Sequence, residues 1–216
     1  MTDFSHFTTP ATMHRTPPNG TRLQAVQAVG WTVIGLVTVL VAGCVSLTPP
    51  QQSRLTDFKG FTQTVTVAYG KPDVKLMAMQ PGDSTVPLAV IRRDGLLLFS
   101  PELLRGTSPG QFAYDLGLFA IAHELGHYVT GRFGCPTCEM DANAEAVKIL
   151  MLGRGMSERE AFDLVANMLA FTASLQGMGT PVIAGHPSAC TELANLAGRY
   201  PFYGVETPQA CKWTQR

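Results

Sequence analysis

The sequence has no Lys/Arg-rich run: sixteen basic residues balance sixteen acidic ones over 216 positions, for a formal net charge of zero. Without a basic stripe there is no electrostatic footprint for a phosphate backbone, which excludes nucleic acid as a partner. Repeats and low-complexity segments are absent after residue 56. The length allows one ordinary domain, and a hydrophobic content of 45% supplies its core. Charge is also missing from Ala25 to Leu47, an apolar run that includes Val33-Ile34-Gly35-Leu36-Val37. An uncharged run of this length behind Arg15 and Arg22 reads as a signal-peptide hydrophobic region or a single membrane span, not as a buried core helix.

The sequence divides into an N-terminal signal or anchor segment (1–44), a linker (45–56) and a folded domain (57–216). The end of the apolar run, Val41-Ala42-Gly43-Cys44, resembles a bacterial lipoprotein box. That resemblance implies lipid modification of Cys44, and Val45 behind it leans toward the outer membrane. Arg15 and Arg22 stay on the cytoplasmic side by the positive-inside rule, so the domain faces the periplasm or the cell exterior. Met13 is an alternative start that gives a more ordinary signal length.

Four cysteines remain: Cys135, Cys138, Cys190 and Cys211. In an exported domain an even number suggests disulfides, and the simplest pairing is Cys135 with Cys138 and Cys190 with Cys211, though four cysteines allow three connectivities. Cys135-Pro136-Thr137-Cys138 also has the spacing of a thiol oxidoreductase, but it follows a helix and a Gly where that chemistry needs a preceding strand.

Between about Phe58 and Phe99 the pattern is that of strands. Thr64 to Tyr69 alternates, Lys75 to Met79 is a second short segment, and Leu88 to Ile91 with Leu96 to Phe99 flank an Asp94-Gly95 hairpin turn. Ser100-Pro101 opens a short helical piece ending near Gly106. The second half is helical: Ser108-Pro109 starts a helix stopped by Gly131, a second runs from about Glu139 to Leu152 with Gly153 at its end, Ser157 to Glu160 forms a capping box for a third, and a last short helix follows Pro187. The expected fold is α+β, a small antiparallel sheet followed by helices.

The chemistry concentrates in His123-Glu124-Leu125-Gly126-His127. Residues four apart on a helix stand one above the other, so both imidazoles reach one ion. Glu124 lies about 100° around the helix, placed for a metal-bound water and for the role of general base. The helix is apolar nearly all round, and burying this motif without a partner is costly; a cation removes the cost. A catalytic zinc takes three protein ligands and leaves one position open. On the following helix Glu139, Ala142, Asn143, Ala146 and Leu150 share one face while Asp141, Glu145 and Lys148 share another, so Glu139 is the third ligand and Asn143 a hydrogen-bonding group beside the site. The expected cofactor is one Zn2+ per chain, and the expected reaction is metal-assisted peptide hydrolysis with Glu124 moving the proton.

His-Glu-x-x-His followed by Glu139-Met140-Asp141-Ala142-Asn143 resembles the gluzincin metallopeptidases, most of all the family of the CAAX prenyl protease and the HtpX heat-shock protease. The resemblance runs from about Leu88 to Leu196. It implies a zincin-type core with the motif on a central buried helix, and a polypeptide substrate drawn from unfolded or exposed envelope proteins. It also implies that an extended substrate adds to strand 96–99. His186-Pro187-Ser188 matches a later His-Pro of the family, which implies that His186 sits over the zinc, gating its open position or stabilising an oxyanion. The sequence departs from the family at three points. Asn143 replaces an Asp, Glu192 stands where the family has Arg, and only eleven residues separate His127 from Glu139, so the connection turns sharply around Cys135 to Cys138. Related regulatory peptidases that cleave cytoplasmic repressors share Glu-x-x-Ala-Asn, and the export signal argues against that subgroup. A non-catalytic zinc lipoprotein acting by protein contacts is the rival expectation.

Overall fold

The computed structural model describes residues 47–79, 88–105 and 110–212. The N-terminal apolar run up to residue 46, with Cys44, and the expected helix start at Ser108-Pro109 lie outside them. Among the described residues the fold is α+β, with six α-helices and one three-stranded sheet. No helix among them is long and apolar enough to cross a membrane.

The first helix, α1 (Pro49–Ala68), replaces both the expected linker up to residue 56 and the expected strand at 64–69. Thr48 and Gln51 form a capping box behind Pro49, which is preset for a first helical turn. Phe58, Phe61, Thr62, Val65 and Thr66 are buried at spacings of three and four, whereas Val67 is 67% exposed. Two-residue alternation at 64–69 is therefore local, and the wider period of the core face decides. The threonine hydroxyls are satisfied inside the helix, Thr62 Oγ1 donating to the Phe58 carbonyl and Thr64 Oγ1 to that of Gly60.

The sheet comprises β1 (Lys75–Ala78), β2 (Ala89–Ile91) and β3 (Leu96–Phe99) in the order β1-β3-β2. β2 and β3 are the antiparallel hairpin turned at Asp94-Gly95. β1 pairs with β3 in parallel, so the sheet is mixed and not antiparallel. β3 is thus hydrogen-bonded on both sides and has no edge for an incoming strand. Among the described residues the outer edges of the sheet belong to β1 and β2.

A 3₁₀ turn at Pro101–Leu104 leads to α2 (Phe112–Thr130), which packs against α1, α3 (Pro136–Arg154), α4 (Glu158–Gly177) and β2. α2 has Gln111 as its N-cap and ends at Gly131, whose φ of 70° is the left-handed C-cap. α3 begins earlier than expected, with Cys135 as its N-cap and Pro136 in its first turn, so these residues do not form a turning loop. It also passes through Gly153 to end at Gly155. Gly153 is a contact residue: a Cβ there would sit 2.5 Å from the Phe61 ring of α1. α5 (Ala189–Arg199) follows a Ser188 cap, and α6 (Gln209–Lys212) carries Cys211. Disulfides join Cys135 to Cys138 and Cys190 to Cys211.

Candidate metal centre

α2 and α3 meet at Gly126, inside the His-Glu-x-x-His motif. A Cβ on Gly126 would lie 2.7 Å from the Ala142 carbonyl oxygen and 3.0 Å from its Cα. Backbone touches backbone here, and that approach brings the ligands of two helices to one point. His123, His127 and Glu139 are all buried. His123 Nε2, His127 Nε2 and Glu139 Oε2 form a triangle with sides of 3.2 Å. Ligand atoms held about 2.0–2.1 Å from a tetrahedral ion stand about 3.3 Å apart. The three residues fit a metal ion.

The partners behind the rings set their tautomers. His123 Nδ1 donates to Asn143 Oδ1 at 2.8 Å, and His127 Nδ1 donates to the Arg132 carbonyl at 2.8 Å. Each Nε2 then presents a lone pair toward the same point as the Glu139 carboxylate. Three acceptors facing one another demand a positive charge between them. Burial alone would lower His123, but the Glu139 hydrogen bond and the Glu124 and Glu139 charges outweigh it and push it up to about 9. Burial alone would raise Glu139, yet the hydrogen bonds and charges of His123 and His127 hold it well below the usual carboxylate range. The same demand that draws a proton to His123 draws a cation.

Asn143 is 1% exposed and bridges two groups. Its Nδ2 donates to Glu192 Oε2 at 2.9 Å, so the amide accepts from His123 and donates to α5. Glu192 is buried, and that burial raises its carboxyl above the ordinary value despite the Asn143 hydrogen bond. Asp141 and Glu145 point elsewhere: Asp141 pairs with Arg132 and Arg199, and Glu145 with Tyr69 and Lys148.

Glu124 is anchored by the sheet, its Oε2 accepting from the Ile91 backbone N–H of β2 at 2.8 Å. Burial raises its carboxyl, against the lowering effect of His123 and His127. A cleft of about 190 Å³ opens beside it, lined by Leu88, Ala89, Phe119, Ile183, His186 and Glu192 among others. His186 comes to the rim on the segment before α5, its Nδ1 3.1 Å from Glu139 Oε2. The atoms that can share one ion, all within 4.8 Å of one another, are those of His123, His127 and Glu139; His186 is outside that group. Burial lowers the His186 imidazole, with the Glu139 charge opposing.

Three contributors carry no side-chain signal in the sequence: the Ile91 N–H, the Arg132 carbonyl and the bare Cα of Gly126. Only Gly126, as the small residue between two ligands, left a trace. No protein-family model, curated protein or solved structure matches the chain.

Proposed function

We propose that the chain is a zinc metalloendopeptidase of the gluzincin type, anchored at its N-terminus in the bacterial envelope and acting on unfolded or exposed segments of envelope proteins. The observation that carries this is the 3.2 Å triangle of two imidazoles and one carboxylate, with a separately anchored Glu124 facing the same cleft. Two His and one Glu with an open fourth side is the donor set of a catalytic zinc; closed structural sites use four protein ligands. His123, His127 and Glu139 would hold the ion. When bound, zinc supplies Lewis-acid polarisation of a carbonyl and acidification of water.

The chain's own residues do the rest. Glu124, fixed by the Ile91 N–H and raised by burial, takes a proton from the attacking water and returns it to the leaving amine. In the β2–β3 ladder, Arg92 N bonds the Leu96 carbonyl and Ser100 N the Leu88 carbonyl. The alternation leaves the backbone groups of Ala89 pointing away from β3, on the edge that borders Glu124. An extended substrate adds to that edge, in place of the strand 96–99 implied by the resemblance. The apolar lining of Leu88, Phe119 and Ile183 suits an apolar side chain.

A second reading rests on His186. Its contact with Glu139 places an imidazole one short movement from the open position, where it would close the site and hold the protein idle. Chelation decides between the two: the purified full chain should cleave unfolded casein, lose the activity on chelation and regain it with zinc. A chain that binds zinc and cleaves no unfolded protein follows the gated reading.

A further inference from the structure

At the other end of α2 and α3, two arginines face one carboxylate. Arg154 Nη1 and Nη2 grip Asp57 at 2.7 and 2.8 Å, and the Tyr114 hydroxyl donates to Asp57 at 3.2 Å. Asp57 is thereby committed. Arg54 sits over the Tyr114 ring, its guanidinium carbon 3.9 Å from the centroid, and the residue is only 4% exposed. Arg54 Nη1 and Arg154 Nε are buried without a hydrogen-bond partner. Both side chains line a cavity of about 790 Å³ with Pro50, Ser53, Asp57 and Tyr114, and among the described residues Asp57 is the only acid in its wall.

Two guanidiniums against one carboxylate leave one positive charge over. Arginine does not shed its proton in a protein, and burying an uncompensated ion is costly. The stack on Tyr114 offsets only part of that cost. Burial pulls the Arg54 guanidinium below its ordinary value, against the charges of Tyr114 and Asp57. Residues 45–53, which precede Arg54, contain no Asp or Glu to supply the missing anion.

We propose that Arg54 and Arg154, with Ser53 in the same cavity wall, form a binding site for a phosphate group. A singly charged phosphate ester balances the surplus charge, and a planar guanidinium fork matches its oxygens. Tyr114 precedes His123 by nine residues, about 13 Å along α2, and Arg154 follows Glu139 by fifteen, about 22 Å along α3, so the site is separate from the metal centre. It does not depend on the metal or on peptide hydrolysis. Two sources share the chemistry, free phosphate and a phospholipid headgroup. Where Cys44 is lipidated, Pro50 at the cavity wall is six residues away, at most about 20 Å of chain, which puts a headgroup within reach.

The test titrates the purified full chain in neutral detergent with inorganic phosphate and, separately, with dihexanoylphosphatidylglycerol, following the thermal midpoint at constant ionic strength against chloride. The expected result is a saturable rise that Arg54→Gln weakens at least tenfold while metal content stays unchanged. A rise with phosphate assigns the free ion, and a rise with the lipid alone assigns the headgroup. Arg54→Lys, which keeps the charge and loses the fork, weakens binding at least threefold and decides the matter if Arg54→Gln does not fold. No saturable rise with either ligand, or equal affinity in the variant that folds, overturns the proposal.

Discussion

Asn143 and Glu192 are joined by a 2.9 Å hydrogen bond from the amide Nδ2 to the carboxylate, and that bond fixes which end of the amide faces His123. With Nδ2 committed to α5, Oδ1 is the atom left to accept from His123 Nδ1. The neutral amide therefore orients His123, provided Glu192 holds it.

Asn143→Ala should weaken metal affinity about 10- to 100-fold, the usual cost of losing a partner behind a ligand. Glu192→Gln, whose amide oxygen still accepts, should change affinity little, and Glu192→Ala should fall between the two. Competition with a chromophoric chelator measures all three. Equal affinity in wild type and Asn143→Ala would show that the bridge is ornamental.

Gly126→Ala places a methyl 2.7 Å from the Ala142 carbonyl, a backbone atom that cannot swing aside. The two helices must part, at an overpacking cost of about 1–3 kcal/mol. Denaturant unfolding should record the loss, and metal affinity should fall with it because His123 and His127 retreat from Glu139. A variant that binds metal as tightly as wild type would contradict the close approach of α2 and α3.

Asp57 gives a pH signature independent of the metal. Burial alone would raise its carboxyl, but the Arg154 hydrogen bonds and charge, with the Tyr114 hydroxyl, hold it below the ordinary value. A carboxylate lowered in the folded state contributes stability that is fully present above its unfolded value of about 3.9 and is lost as pH falls through the folded one. Thermal midpoints of the metal-free chain should therefore drop below about pH 4, and Asp57→Asn should flatten that part of the curve. Identical slopes for the two proteins would rule the contribution out.

Much of this molecule is written locally. Ser157 and Glu160 form their capping box where the sequence places one, Asp94-Gly95 turns its hairpin, and the 3.6 period of α3 brings Glu139 and Asn143, not Asp141 or Glu145, to the ligand point. The failures come where a distant partner decides. Thr64 to Tyr69 alternates like a strand, yet α1 is held helical by the face running from Phe58 through Val65. Gly153 looks like a helix end, but it stays inside α3 because the Phe61 ring needs the space. The parallel pairing of β1 with β3 has no local signal at all, and it covers β3 so that the sheet edges are β1 and β2. In the site, side chains were legible and backbone partners were not: the Ile91 N–H and the Arg132 carbonyl depend on folding, not on residue type.

The most direct measurement pairs metal analysis with proteolysis of unfolded casein in wild type and Glu124→Ala. Glu124 accepts from Ile91 and stands outside the three-atom ligand group, so its loss should leave about one zinc per chain and a folded protein. Proton transfer by a positioned carboxylate contributes about 10²- to 10⁴-fold. The account predicts unchanged zinc with cleavage reduced at least a hundredfold; a Glu124→Ala chain that keeps its zinc and cleaves at the wild-type rate would contradict it.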